Sequence, residues 1–172
     1  MMEKPLYRTY SSYLKEKYGE KVYKLPVNLP VSCPNRTDGR GCTFCADIGT
    51  GFESDVSGVP LEKQMERAAE IAVRRYKARK YIAYFQNYTN TFLPLGRLSE
   101  YMERAANMEG VVEICISTRP DCIREDYLEF FDRFREEHQI EITVELGLQT
   151  VNYHTLKTIN RGHGLAELID AV

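Results

Sequence analysis

The 172-residue sequence lacks the segments that would place a protein in or across a membrane. No run of apolar residues approaches the roughly 18 that a membrane-spanning helix requires. The first residues, Met1-Met-Glu-Lys-Pro-Leu-Tyr-Arg, have no apolar core of the kind found in a secretory signal peptide. We therefore expect a cytoplasmic protein, in a reducing compartment that keeps cysteines free to act as ligands.

The sequence also lacks an excess of positive charge, since its formal net charge is −2 at pH 7. This excludes a uniformly basic surface that binds nucleic acid by charge alone, although it allows a local patch. The densest cluster of cations is Arg74-Arg-Tyr-Lys-Ala-Arg-Lys80. Two interpretations stay open for it: cations that complement the C-terminal end of a helix, or a contact with RNA. The remaining composition, 43% hydrophobic and 28% charged, is typical of one globular domain over residues 1–172.

Cysteine is scarce and unevenly distributed. Three of the five cysteines lie in Cys33-Pro-Asn-Arg-Thr-Asp-Gly-Arg-Gly-Cys-Thr-Phe-Cys45, a segment whose turns let three thiolates converge on one inorganic centre. Structural zinc sites and most iron–sulfur clusters have four protein ligands, so three indicate a metal position left open for a substrate or cofactor. The alternative is a structural zinc site, whose fourth ligand would be His138, His154 or His163.

Strands and helices alternate along the chain, which predicts an α/β fold with a parallel sheet covered by helices. The predicted strands cover residues 21–29, 80–86, 111–117 and 141–148. The predicted helices cover residues 5–18 and 60–79, regions around 98–106 and 127–134, and short pieces at 152–160 and 164–172. A loop over 30–58 carries the three cysteines. Pro26, inside the first strand, favours an edge position or a bulge.

Two of the helices are predicted from the spacing of their apolar residues. Leu6 and Leu14 lie at helical spacing in the helix over 5–18, which Gly19 is expected to end. In the helix over 60–79, Val73 and Tyr76 are expected on the same buried face as the preceding apolar residues.

Reactive side chains occur where the predicted strands end. Cys33 follows the first strand, Gln86 ends the second, Ser117 and Arg119 follow the third, and Gln149 follows the fourth. In β/α barrels the reactive residues lie at the carboxyl ends of the strands. We therefore expect one pocket to gather these side chains.

Five segments, taken together and in this order, resemble the radical S-adenosylmethionine (SAM) superfamily, and most closely its YhcC-like subgroup. They are the cysteine segment, Tyr84-Phe-Gln-Asn-Tyr-Thr-Asn-Thr91, Ile116-Ser-Thr-Arg-Pro-Asp121, Glu145-Leu-Gly-Leu-Gln-Thr150 and Thr158-Ile-Asn-Arg-Gly-His163. The eight residues between the first two cysteines, instead of the commonest three, resemble that subgroup. The resemblance implies the N-terminal part of a partial (β/α) barrel of the radical SAM type, with about four of its six parallel strands.

The resemblance also implies cofactors. Cys33, Cys42 and Cys45 would bind a [4Fe–4S] cluster, and SAM would take the open iron and be cleaved reductively to a 5′-deoxyadenosyl radical. Phe44 would lie near the adenine. The other residues implied in cofactor binding are Gln86, Tyr88, Thr89, Ser117, Arg119, Glu145 and Gln149.

Two of these residues have alternatives that follow from the sequence itself. Glu145 could point outward from its strand, because alternation with its apolar neighbours leaves its facing ambiguous. Arg119 could form a salt bridge with Asp121 instead of binding an anion.

The expected partners also follow from the resemblance. A neighbouring elongator-catalytic-subunit-like branch acts on transfer RNA, which suggests a tRNA nucleoside as substrate, with a small metabolite or a protein side chain as rivals. An electron donor such as flavodoxin or ferredoxin is expected. The open edge of the fourth strand favours self-association. The rival function is a zinc-stabilised RNA- or protein-binding module without catalysis.

Overall fold

The computed structural model describes residues 6–37, 39–45 and 54–172. Its helices are α1 Tyr10–Tyr18, α2 Pro34–Thr37, α3 Leu61–Ile71, α4 Leu95–Ala106, α5 Glu125–His138, α6 Tyr153–Thr158 and α7 Leu165–Asp170. Its strands are β1 Val22–Val27, β2 Lys80–Phe85, β3 Val111–Thr118 and β4 Glu141–Leu146. A π-helical turn, Ala72–Tyr76, continues α3. Within the described ranges, no helix combines the length and apolarity needed to span a bilayer.

The four strands form one parallel sheet in the order β1-β2-β3-β4. This confirms the predicted α/β fold with four parallel strands. Pro26 lies in β1, an edge strand, where the missing N–H of proline is tolerated. Because the strands are parallel, their carboxyl ends meet at one edge of the sheet.

The main core lies between one face of the sheet and helices α3, α4 and α5. Leu25, Ala83 and Ile114 are in register on adjacent strands and are fully buried. Met102 of α4 and Phe134 of α5 belong to the same apolar cluster. These three helices therefore cover one face of the sheet.

Helix α1 covers part of the opposite face through a smaller contact. Leu14 packs with Ile82 and Cys115. The Tyr18 hydroxyl donates a hydrogen bond to the buried carboxylate of Glu113, at 2.5 Å. These contacts reach Ile82 and Glu113 and extend to Cys115 in the middle of β3, short of the carboxyl ends of the strands.

The first helix is shorter than the sequence predicts. The Thr9 side chain accepts a hydrogen bond from the backbone N–H of Ser12 at 3.1 Å, so it caps a helix that begins at Tyr10. Leu6 precedes this cap and is fully exposed, whereas Pro5 lies outside the described residues. Gly19 ends the helix in the left-handed conformation.

The prediction of one regular helix over 60–79 is wrong in its last part. The α-helix ends at Ile71, and the wider π-turn that follows rotates the later side chains away from the core. Val73 and Tyr76 are consequently 47% and 42% exposed, while Ala72 and Ala78 are buried. Of the predicted loop over 30–58, residues 38 and 46–53 lie outside the described residues.

Candidate functional site

The segment with three cysteines is folded by its own backbone. The Cys33 carbonyl accepts hydrogen bonds from the N–H groups of Arg36 and Thr37, which begins α2, separated from the end of β1 by six residues. Gly41 has φ +75°, and a Cβ there would lie 2.9 Å from Cγ of Arg36. Glycine is therefore required for the chain to turn back toward α2. A further turn joins Cys42 and Cys45 through a 3.0 Å backbone bond.

The chain after α6 closes over this segment. Thr43 N–H donates to the Ile159 carbonyl at 3.0 Å. The side-chain amide of Asn160 donates to the Gly41 carbonyl at 2.7 Å, and the amide of Asn35 donates to the Asn160 carbonyl at 2.7 Å. These bonds connect residues more than 100 positions apart and fix the cysteine loop against the end of the fold.

Each of the three thiols faces one guanidinium. Arg119 Nη1 lies 3.6 Å from Sγ of Cys33, and Arg36 Nη1 lies 3.6 Å from Sγ of Cys45. Sγ of Cys42 accepts from Arg161 Nη1 at 3.4 Å and from Asn35 Nδ2 at 3.4 Å. N–H donors and positive charge at sulfur stabilise thiolates and the negative charge of a cluster they bind.

A cavity of about 420 Å³ at the carboxyl ends of the strands contains the whole predicted site. Its lining includes all eleven residues named from the sequence: Cys33, Cys42, Phe44, Cys45, Gln86, Tyr88, Thr89, Ser117, Arg119, Glu145 and Gln149. Arg36, Tyr84 and Arg161 also line it and were not predicted. The structure therefore brings together side chains from a loop and from three strand ends.

Two of the lining residues have strained backbones. Tyr88 and Gln149 have φ values of 59° and 78°, in the left-handed region that non-glycine residues rarely adopt. Such conformations occur at sites where the surrounding structure imposes a particular side-chain position.

Glu145 points into the cavity, not outward. Its carboxylate accepts hydrogen bonds from Lys24 Nζ at 2.8 Å, Tyr84 OH at 2.7 Å and Ser117 Oγ at 3.1 Å. Burial alone would raise the pKa of this carboxyl, but the bonds from Lys24 and Tyr84 outweigh it and lower the pKa. Glu145 is thus an ionised carboxylate in the cavity lining that accepts hydrogen bonds. Tyr84 was not named as a site residue from the sequence, although it begins the segment Tyr84–Thr91 and lies two residues before Gln86, a spacing that places side chains on one face of a strand.

The alternative proposed for Arg119 is the one observed. Its Nε and Nη2 bind both oxygens of Asp121, at 2.8 and 2.5 Å. Burial raises the pKa of the Asp121 carboxyl, but the two Arg119 bonds oppose it and the net pKa is lowered. Although Arg119 lines the cavity, Asp121 neutralises its charge.

Arg161 differs from Arg119 in its charge balance. It is 7% exposed, and among the described residues it forms no ion pair with a carboxylate. Besides its contact with Cys42, it donates to the Gly147 carbonyl, while its Nε has no hydrogen-bond partner within the described part of the chain. A buried guanidinium without a counter-ion is costly unless an anion binds beside it.

None of the three histidines is among the residues that line the cavity. His138 stacks on Phe134 and bonds Glu103, and His154 is exposed on α6. His163 is buried, and burial together with Arg161 lowers its pKa.

The arrangement of the thiols bears on which metal group they could hold. Residues 6–37, 39–45 and 54–172 contain no set of three His, Cys, Asp or Glu side chains placed around a single metal ion. Thiolate sulfur is a ligand of zinc and of iron–sulfur clusters alike, and N–H donors beside the sulfurs offset the negative charge of a cluster. Three thiols that line one cavity, each beside an N–H donor, fit the cluster.

Comparison with known proteins matches the part of the chain that forms the cavity. The family model of the radical SAM superfamily matches residues 27–172. The uncharacterised protein YtqA of Bacillus subtilis is 38% identical over 173 residues, which is 96% of this chain and 52% of the relative. The protein YhcC of Escherichia coli K12 is 36% identical over 169 residues, which is 96% of this chain and 53% of the relative. An uncharacterised protein of Methanocaldococcus jannaschii is 30% identical over 97% of this chain and 52% of its own length. The chain spans about half the length of these curated relatives.

Proposed function

Because the chain belongs to the radical SAM superfamily, we propose that its pocket binds a [4Fe–4S] cluster through Cys33, Cys42 and Cys45 and holds SAM beside it. The observation that carries this proposal is that these cysteines and the eight other predicted residues line one cavity. When bound and reduced, the cluster supplies the electron that splits SAM into methionine and a 5′-deoxyadenosyl radical, which takes hydrogen from a substrate.

In this proposal Arg161 binds the carboxylate of SAM. A guanidinium makes strong, charge-assisted hydrogen bonds with a carboxylate, and Arg161 is the buried lining arginine whose charge no described carboxylate balances. Arg119 is already paired with the carboxylate of Asp121, and it positions Cys33 instead of binding SAM.

Glu145 and Phe44 then contact the nucleoside part of SAM. The ionised Glu145 accepts hydrogen bonds from hydroxyl or ammonium groups, and Lys24 and Tyr84 keep it oriented. Phe44 is 47% exposed at the cavity and offers an aromatic surface on which an adenine can stack.

We further propose that the substrate is an RNA nucleoside and that flavodoxin or ferredoxin supplies the electron. Besides Arg161, which is assigned to the SAM carboxylate, Arg36 lines the cavity, and its guanidinium suits the phosphate of a nucleotide. These proposals concern the complete protein, because the relatives are about twice as long as this chain.

Anaerobic reconstitution with iron and sulfide tests the cofactor proposal. We expect about four irons per chain and an electron paramagnetic resonance signal, after reduction, that changes when SAM is added. The Cys42→Ala variant should lose the cluster. The matched control is Cys122→Ala, whose thiol lies outside the cavity lining and should be dispensable. Uptake of one zinc and no iron, with equal behaviour of both variants, would contradict the proposal and favour the zinc-stabilised module.

A further inference from the structure

A cationic surface lies at the end of the sheet opposite the cavity. It consists of Arg74, Arg75, Tyr76, Lys77 and Arg79, which we call the basic turn. All five side chains are exposed on the π-turn and the residues that lead into β2. β2 begins at Lys80 and ends at the cavity edge, a strand length of about 20 Å. The basic turn is therefore separate from the cofactor pocket.

The local backbone explains why these cations are presented together. The π-turn has a wider spiral than an α-helix and ends at Lys77, with φ 58° in the left-handed region. Ala72 and Ala78 on either side are buried and anchor the turn to the core. The anchored backbone fixes the intervening residues on the solvent side.

The cations of the basic turn have no ionic or hydrogen-bonding partner for their side chains among the described residues. Arg74, Arg75, Lys77 and Arg79 form no ion pair and no side-chain hydrogen bond with another described residue, including the carbonyls at the helix end. Most exposed arginines elsewhere are paired, as Arg97 is with Glu100. The helix-end interpretation of this cluster therefore has no contact to support it.

An exposed aromatic ring lies among these cations. Tyr76 is 42% exposed and stacks on Tyr23 of β1, with ring centroids 4.8 Å apart and planes 20° apart. Lys21 Nζ lies 3.4 Å from the Tyr76 carbonyl and brings a further cation to the same place. Cations that bind phosphates, beside a ring on which a base can stack, are the elements of a single-stranded nucleic acid site.

We propose that the basic turn binds the sugar–phosphate backbone of RNA and holds the substrate while one nucleoside enters the cavity. The choice of RNA rests on the proposed function, whereas the binding surface rests on the contacts described above. A small phosphate ester could not extend over the strand length that separates the two sites, but an RNA can.

Binding of fluorescently labelled, unfractionated tRNA, measured by anisotropy over a range of salt concentrations, tests this inference. The variant carries Arg74→Gln, Arg75→Gln and Arg79→Gln. The control carries Arg97→Gln, Arg133→Gln and Arg135→Gln, which removes the same charge from paired, exposed arginines. We expect the variant to bind about tenfold or more weakly, and the slope of log K against log salt to fall by about two. The control should stay close to the parent protein.

The contribution of the ring is measured with Tyr76→Ala. We expect a loss of affinity of about fivefold or more without a change of salt slope, because stacking involves no counterion release. Parent-like binding by the triple arginine variant, or an equal loss in its control, would overturn the inference. Binding to phosphatidylserine vesicles through the same arginines, with tRNA binding unaffected, would also overturn it in favour of a membrane.

The same variants separate this inference from the proposed function. SAM cleavage by the reconstituted protein, with dithionite as reductant and without RNA, should be equal in the basic-turn variant and the parent. If tRNA binding depends on the basic turn but no SAM is cleaved, the proposed function fails and the surface assignment stands. If SAM is cleaved but tRNA binding is independent of the basic turn, the surface assignment fails.

Discussion

Two buried arginines of the cavity differ in whether their charge is neutralised. Arg119 and Asp121 form a bidentate ion pair two residues apart in sequence, so this pair could be anticipated. Arg161 lies after α6, beyond Gln149, which is the last site residue predicted from the sequence. It is notable because no described carboxylate balances its charge. Sequence patterns reveal the presence of a guanidinium but not the absence of its partner, which is why Arg161 was missed.

We expect Arg161→Gln to weaken SAM binding about tenfold or more, the size of one lost charge-assisted contact. The free energy of unfolding should change by less than about 1 kcal/mol, because the lost contacts are offset by removal of a buried charge without a counter-ion. Calorimetric titration of the reconstituted protein and urea unfolding measure the two quantities. Arg124→Gln, an exposed and paired arginine, is the control. Unchanged SAM affinity in Arg161→Gln would contradict the assignment.

Asp121→Asn should destabilise the protein by about 2 kcal/mol or more at neutral pH, because it leaves the buried Arg119 charge without its partner. The folded state lowers the pKa of Asp121, so the pair stabilises the protein above the unfolded pKa and is lost as pH falls through the lower, folded pKa. The difference in the free energy of unfolding between parent and variant should therefore shrink below about pH 4. Urea unfolding over a pH series measures it.

The control for this prediction is Asp126→Asn, which breaks the exposed pair with Arg124 and should cost less than about 1 kcal/mol. A difference between parent and Asp121→Asn that stays constant down to the most acidic pH would mean that the ion pair is not its cause.

At the scale of elements, the cysteine loop depends on the segment after α6. Asn160 adopts φ 53° and donates to the Gly41 carbonyl. We expect Asn160→Gly, which preserves this backbone conformation but removes the side-chain bond, to lose its reconstituted cluster several-fold faster to an iron chelator. Absorbance of the cluster over time measures this loss.

Gln139→Gly is the matched control for Asn160→Gly. Gln139 has a similar positive φ of 54° but ends α5 just before the amino end of β4, at the opposite end of the sheet from the cavity. It should release iron at the parent rate. Equal rates in both variants would show that the closing segment does not retain the cluster.

The strands and most helices were predictable because their apolar residues follow regular spacing. Leu98 and Met102 on α4, and Phe130 and Phe134 on α5, are buried as that spacing indicates. The start of α1 and the π-turn could not be predicted from this spacing, because local features of the sequence and backbone determine them. A cap such as Thr9 overrides the apolar pattern that precedes it, and a π-turn changes the spacing within an otherwise helical segment.

At the scale of the whole molecule, the sheet formed by the described residues has an open edge along β4. Among the described strands β4 pairs with β3 alone, and its residues are exposed or half-buried. An unpaired edge favours pairing with another chain. We expect the protein to self-associate as its concentration rises, which sedimentation velocity over a hundredfold range would detect. A single monomeric species throughout, with a sharp thermal transition, would contradict this expectation.

In the proposed site, three thiolates and the side chains that bind SAM share one cavity, and one iron of the cluster has no protein ligand. The most direct measurement is electron–nuclear double resonance on the reduced, reconstituted protein with SAM labelled with ¹⁷O in its carboxylate. We predict hyperfine coupling between the label and the cluster, because SAM should bind the iron that no cysteine holds. A reducible cluster without such coupling, or a protein that takes up zinc in place of iron, would contradict the account.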